Sequence, residues 1–148
     1  MVTVQITKSY IAFVQYGHLH REDGPAMIHN NGSIGWYVDG KPHRENGPSQ
    51  EYFDGTKQWF LYGLKHRFDG PAIIDTREGV KEWHVNGLLH RTDGPAIEYN
   101  DGEEHYIQFG KRHREDGPAV ESAAGIEYWF EGVQYSAVDY HNLIKPKL

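Results

Sequence analysis

Apolar residues along this chain come in short runs, such as "YIAFV" at 10 to 14, "AIEY" at 96 to 99 and "YWF" at 128 to 130. Glycine-bearing polar stretches separate them at regular distances. Runs of this length, bounded by turn residues, predict β-strands rather than long helices. After a Gly-Pro-Ala triplet comes a run such as "AIEY", then "NDG", then a second run such as "EEHYIQF". Asn31-Gly32, Asp54-Gly55 and Asp101-Gly102 read as tight hairpin turns, because these pairs tolerate positive φ.

The pattern repeats. "HREDGPA" stands at 20 to 26 and 113 to 119, with "HRENGPS" at 43, "HRFDGPA" at 66 and "HRTDGPA" at 90 between them. The histidines His20, His43, His66, His90 and His113 are spaced by 23, 23, 24 and 23 residues. An aromatic slot recurs at Trp36, Trp59, Trp83, Tyr106 and Trp129, and a further glycine stands three residues before each motif histidine. Periodicity of this kind marks a repeat array. The motif reads as the return loop between hairpins. Asp23, Asp69, Asp93 and Asp116 would cap its backbone, with Asn46 in the odd copy, and Gly24, Gly47, Gly70, Gly94 and Gly117 would supply positive φ.

Two-residue turns would pair Met27 with Trp36, Ile73 with Trp83 and Ile97 with Tyr106, placing them on one face with Val38, Leu61 and Val85. The expected fold is all-β: an elongated single-layer antiparallel meander of about five 23-residue hairpin repeats with a short C-terminal capping helix. Residues 1–17 read as N-terminal cap strands, 18–132 as hairpin repeats and 133–148 as the C-terminal cap, all within one domain. Ser136, with Asp139 three residues on, predicts the cap of a helix "AVDYHNLI". "VTVQIT" predicts an edge strand with one nearby lysine, Lys8, and so a homodimer or partner edge.

These units resemble MORN-type repeats, whose Trp/Tyr-x-x-x-Gly-Lys-x-His core matches "WYVDGKPH" at 36 to 43. The resemblance covers about residues 10 to 135. Its His-Arg-x-Asp-Gly-Pro-Ala loop departs from the ordinary MORN pattern and is similar to repeats of bacteriophage, giant-virus and related bacterial proteins. It implies a hairpin array with an interaction role.

Composition changes the picture mainly by exclusion. The 148 residues carry 15 Lys and Arg against 21 Asp and Glu, a formal charge of −6, which argues against nucleic acid and anionic membranes as partners. There is no cysteine, hence no thiolate nucleophile or Cys-ligated zinc. No signal peptide and no apolar run of about 18 residues is read, so a cytoplasmic protein is expected, in host cytoplasm if the chain is viral. No cofactor fingerprint is present.

Equivalent histidines two strands apart would sit ~10 Å from one another, too far to share a metal, so they read as turn residues. Arg21, Arg44, Arg67, Arg91 and Arg114 read as pairing with motif carboxylates or stacking on aromatics rather than as a polyanion ladder. Five copies of one loop do not converge on a catalytic centre. The expected function is a non-enzymatic protein-interaction module, such as a phage or viral factor that binds and inhibits a host protein. The alternatives are carbohydrate or nucleotide binding on an aromatic sheet face, or a phage structural or assembly component. The slot after each Trp varies, as Tyr37, Phe60, His84, Ile107 and Phe130, and is the expected partner-binding surface.

Overall fold

The structure, a computed structural model, describes residues 1–145. Fourteen strands form one long sheet, thirteen of them in chain order from Thr3–Ile6 through Tyr10–Gln15, Met27–His29 and onward to Val133–Tyr135. Neighbours pair antiparallel throughout. At ~4.8 Å per strand this all-β meander is about 60 Å long. Helix α1 (Ala137–Ile144) follows, capped as the sequence predicts: the Ser136 hydroxyl accepts from the Asp139 backbone N–H. The last three residues of the expected cap, 146–148, lie outside the described ones.

The structure adds four small two-stranded sheets, such as Tyr37–Val38 with Lys41–Pro42 and Ile107–Gln108 with Lys111–Arg112. Their two-residue turns lie at the glycine before each His-Arg loop, not at the Asn-Gly and Asp-Gly sites. At Asp39-Gly40, φ is 50° and 76°, the double positive value of a type I′ turn.

The Asn-Gly and Asp-Gly turns are one residue longer than expected. His29 C=O accepts from Gly32 N–H while His29 N–H donates to Ser33 C=O, leaving a three-residue loop that ends in a left-handed glycine. This is a type I turn closed by a glycine bulge. The pairing therefore shifts by one: Met27 faces Gly35, Ile73 faces Glu82 and Ile97 faces His105, not Trp36, Trp83 and Tyr106.

Burial follows the corrected register. Ala26, Ser49, Ala72, Ala96 and Ala119 are fully buried. The N–H of Trp36, Trp59, Trp83 and Tyr106 donates to the carbonyl of the motif Ser or Ala one unit on, at 2.7–2.8 Å. Backbones that approach this closely leave room only for a small side chain. Around Ala96, the core gathers Ile97 from the long sheet and Ile107 from a small hairpin, with Val80, Leu89 and Tyr99 against them. The core thus lies where the small hairpins fold onto the meander.

That packing corrects the expected contact surface. It does so at His84 and Ile107, which are 5% and 6% exposed; Tyr37, Phe60 and Phe130 are half-buried. A second correction concerns the motif glycines. Gly24, Gly70, Gly94 and Gly117 do not adopt left-handed φ. They are small because an arginine folds over them: a Cβ on Gly24 would lie 2.7 Å from Arg21 Cζ, and one on Gly94 2.8 Å from Arg91 Cζ.

The two ends of the sheet differ. Phe13 directs its N–H to Ala26 C=O and its C=O to His20 N–H, both away from the first strand. Val4 pairs with Phe13, so its own backbone N–H and C=O face outward at the edge. All four residues of Thr3–Ile6 are exposed. At the far end α1 packs on the last strands and buries Tyr140 completely.

Candidate functional site

Each His-Arg loop is built by one set of contacts. The Arg21 guanidinium lies 4.1 Å over Phe13, Arg44 4.1 Å over Trp36, Arg67 4.0 Å over Trp59, Arg91 4.1 Å over Trp83 and Arg114 3.8 Å over Tyr106. Each stack contributes about 0.5–1 kcal/mol. Arginine Nε then donates to Asp23, Asp69, Asp93 or Asp116 at 2.8–2.9 Å. The hydrogen bond from the guanidinium, reinforced by its charge, holds all four carboxyls below their ordinary range. Arg44 has Asn46 in place of that acid and keeps only the bonds that Arg91 and Arg114 also make, to a proline carbonyl (Pro48, 3.0 Å) and to a strand glutamate (Glu51, 3.1 Å).

The histidines join units. Nδ1 of His43, His66, His90 and His113 accepts the backbone N–H of Tyr62, Asn86, Phe109 and Glu131 at 3.1–3.2 Å, and His20 accepts from Asp39 likewise. Every acceptor meets the left-handed first residue of the next type I′ turn. Tyr62 and Phe109 are bulky for that conformation and are braced by ring contact with His43 at 4.0 Å and His90 at 4.2 Å. At His20 and His66 the same Nδ1 also stands 2.9 and 3.0 Å from the side-chain oxygens of Asp39 and Asn86. The buried Nε2 of His66 has no hydrogen-bond partner among the described residues, and the Phe68 ring stands edge-on to it at 4.4 Å.

Between successive loops lie open clefts. The first, about 540 Å³, has Trp36 and Val38 between Arg21–Asp23 and His43–Asn46. Those that follow measure about 470, 610 and 510 Å³ and are lined by Trp59 and Leu61, Trp83 and Val85, and Tyr106 and Gln108. A further cleft, about 610 Å³, lies at the N-terminal end, where Val2 and Val4 stand in place of a preceding loop. Loop and cleft recur with the sequence period, on one edge of the molecule.

At the cleft mouths the exposure divides sharply. Arginine side chains are 20–28% exposed, while Asp23, Asp69, Asp93 and Asp116 are 83–84% exposed. The residue after each arginine is exposed and is the variable one of the loop: glutamate at 22, 45 and 115, Phe68 and Thr92 in the other two. Sequence reasoning passed over this position because it searched the strands for variation. The "x" in His-Arg-x-Asp was the available signal.

Among the described residues no group of three or more His, Cys, Asp or Glu is placed to hold a metal ion. No helix among them is long and apolar enough to cross a membrane. Comparison with protein-family models, with curated proteins and with solved structures finds no match to this chain.

Proposed function

We propose that the chain is a non-enzymatic protein-interaction module whose contact surface is the row of clefts between its His-Arg loops. One observation carries this reading. The constant residues of each loop are engaged in architecture, whereas the position that varies, at 22, 45, 68, 92 and 115, stands exposed at the cleft mouth. A scaffold that holds its frame fixed and varies its rim is arranged for recognition. Catalysis calls for different groups converging at one place, and this edge repeats a single arrangement.

The likeness of the loops to phage and giant-virus repeats supports a factor that acts on a host protein in the host cytoplasm. The outward edge of Thr3–Ile6 supports self-association of two chains through that strand. An aromatic sugar or nucleotide platform at the Tyr37 slot loses support, because two of its five residues, His84 and Ile107, are buried.

The test is capture of host proteins by the wild-type chain beside Thr92→Trp, which fills the mouth of one cleft from an exposed position. A specific partner should be retained by wild type and lost by the variant, with unchanged circular dichroism and melting temperature. Capture indifferent to substitution at every one of the five rim positions overturns the reading, as does selective binding to a glycan or nucleotide panel instead.

A further inference from the structure

The row of clefts has a sign, a spacing and two polar groups without partners among the described residues, and together these specify an occupant. The sign comes from what each loop leaves exposed. Stacking and hydrogen bonding turn the arginine heads inward, while the carboxylates of Asp23, Asp69, Asp93 and Asp116 stay at the surface. Glu22, Glu45 and Glu115 add three more exposed carboxylates along the same rim. The four aspartates are ionised near neutral pH, as carboxyls with an ordinary pKa of ~3.9 are. Indole and aliphatic side chains line the clefts behind this rim, a surface that takes up the methylene stem of a lysine.

The spacing comes from the fold. Each unit advances two strands of the meander, ~9.6 Å. A polypeptide in an extended or polyproline II conformation rises ~3.1–3.4 Å per residue, so three residues span one cleft. The unpartnered groups are Nε1 of Trp36, in the first cleft, and Nε2 of His66, 7% exposed, in the cleft between the loops at 43–49 and 66–72. The indole N–H needs an acceptor, and His66 Nε2 needs a donor or an acceptor according to the tautomer, since its Nδ1 meets both the backbone N–H and Oδ1 of Asn86; a peptide bond offers both.

We infer that the partner offers an extended basic segment, with Lys or Arg at about every third position, laid along the cleft row. This rests on the interaction-module reading. Each basic side chain crosses the acidic rim into one cleft, and the segment's backbone passes Trp36 and His66 and supplies their missing partners.

The experiment uses the full chain and fluorescence-labelled peptides of about 15 residues, long enough to span four or five clefts. One peptide carries lysine at every third position, one has the same composition with the lysines clustered, one has glutamate for lysine, and one is neutral. The periodic lysine peptide should bind about tenfold more tightly than the clustered one and weaken steeply with salt. It should also shift the imidazole nitrogen resonances of His66 more than those of the other motif histidines. The triple variant E22Q/E45Q/E115Q leaves the Arg–Asp pairs intact and should lose about tenfold in affinity with an unchanged melting temperature.

Equal binding by the glutamate or neutral peptide overturns the inference, and so does unaltered binding by the triple variant. Binding by none of the four, while partner capture remains sensitive to Thr92→Trp, overturns the basic-segment inference and leaves the interaction module standing. Loss of both results overturns both.

Discussion

One repeating unit meets two different ends in this molecule. At the C-terminal side the last strands are covered by α1, which drives the Tyr140 ring between Tyr128, at 4.9 Å, and the His113–Arg114 loop, where its hydroxyl donates to Arg114 C=O. At the N-terminal side the strand Thr3–Ile6 shows its backbone and the side chains of Val4 and Ile6, 53% and 74% exposed. A repeat array buries each unit against its neighbour, so a terminal unit lacks half of its packing unless something else supplies it. Here a helix supplies it at one end, and the other end keeps an open edge strand.

The largest effect expected from this contrast is at Tyr140. Tyr140→Ala should cost about 3–5 kcal/mol in denaturant unfolding, as removal of a buried aromatic does. Val4→Ala, at the other end, should stay within about 0.5 kcal/mol. Similar losses at the two sites would erase the distinction between a sealed and an open end.

A smaller effect locates the interior against which both ends are judged. Gly35 is buried, and a Cβ there would lie 2.6 Å from the Tyr37 ring and 2.9 Å from the Gln50 amide oxygen. At Gly70 the obstacle is only the Arg67 guanidinium at 3.0 Å, which can swing outward. Gly35→Ala should therefore destabilise by about 1 kcal/mol more than Gly70→Ala. This order reverses the one that a positive φ at the motif glycines would give, and thermal melts of the two variants decide it.

Smaller still in stability, but decisive for the open end, is Val4→Pro. The Val4 N–H faces outward, so proline removes no bond within the chain and should change stability by less than about 0.5 kcal/mol. Sedimentation equilibrium should show wild-type self-association that this substitution abolishes. A monomeric wild type at high concentration would remove the self-association part of the reading.

The smallest effect is the acid response of the loops. Folded-state pKa values of Asp23, Asp69, Asp93 and Asp116 are depressed, so their stabilisation is present above the unfolded value, ~3.9, and is lost as pH falls through the lower folded values. These carboxylates are well exposed, and solvent screens their pairs. Replacing all four by Asn should slightly flatten the acid limb of a stability–pH curve below pH ~4. An unchanged limb would place the acid sensitivity elsewhere.

The sequence showed the period, the meander and the Ser136-capped helix, because each rests on local chemistry: glycine spacing, strand-length apolar runs, a hydroxyl three residues before its N–H. Register was not legible. "NNG" and "NDG" fit a two-residue turn and a three-residue turn with a bulge equally well, and one residue exchanges the faces of every strand. The burial of Ile107 and His84 was missed for that reason. Nor could the role of the histidines be read, since each Nδ1 meets a backbone N–H 18 to 20 residues further along the chain. Of the candidate site, the arginine stacks and Arg–Asp pairs were among the alternatives the residues offered. The clefts between them depend on how one loop sits beside the next, which no single loop encodes.

Those histidine links also set how the molecule answers force. Strands of the meander lie across its long axis, so a pull between the two ends opens hydrogen bonds in succession, like the teeth of a zip, instead of shearing a whole row together. Each imidazole fastens one tooth to the next. Under tension the array should lengthen as a staircase of low, similar steps. Each step releases one period of 23 or 24 residues, roughly 70 Å of slack. Anchored at both ends, such a chain is an extensible tether.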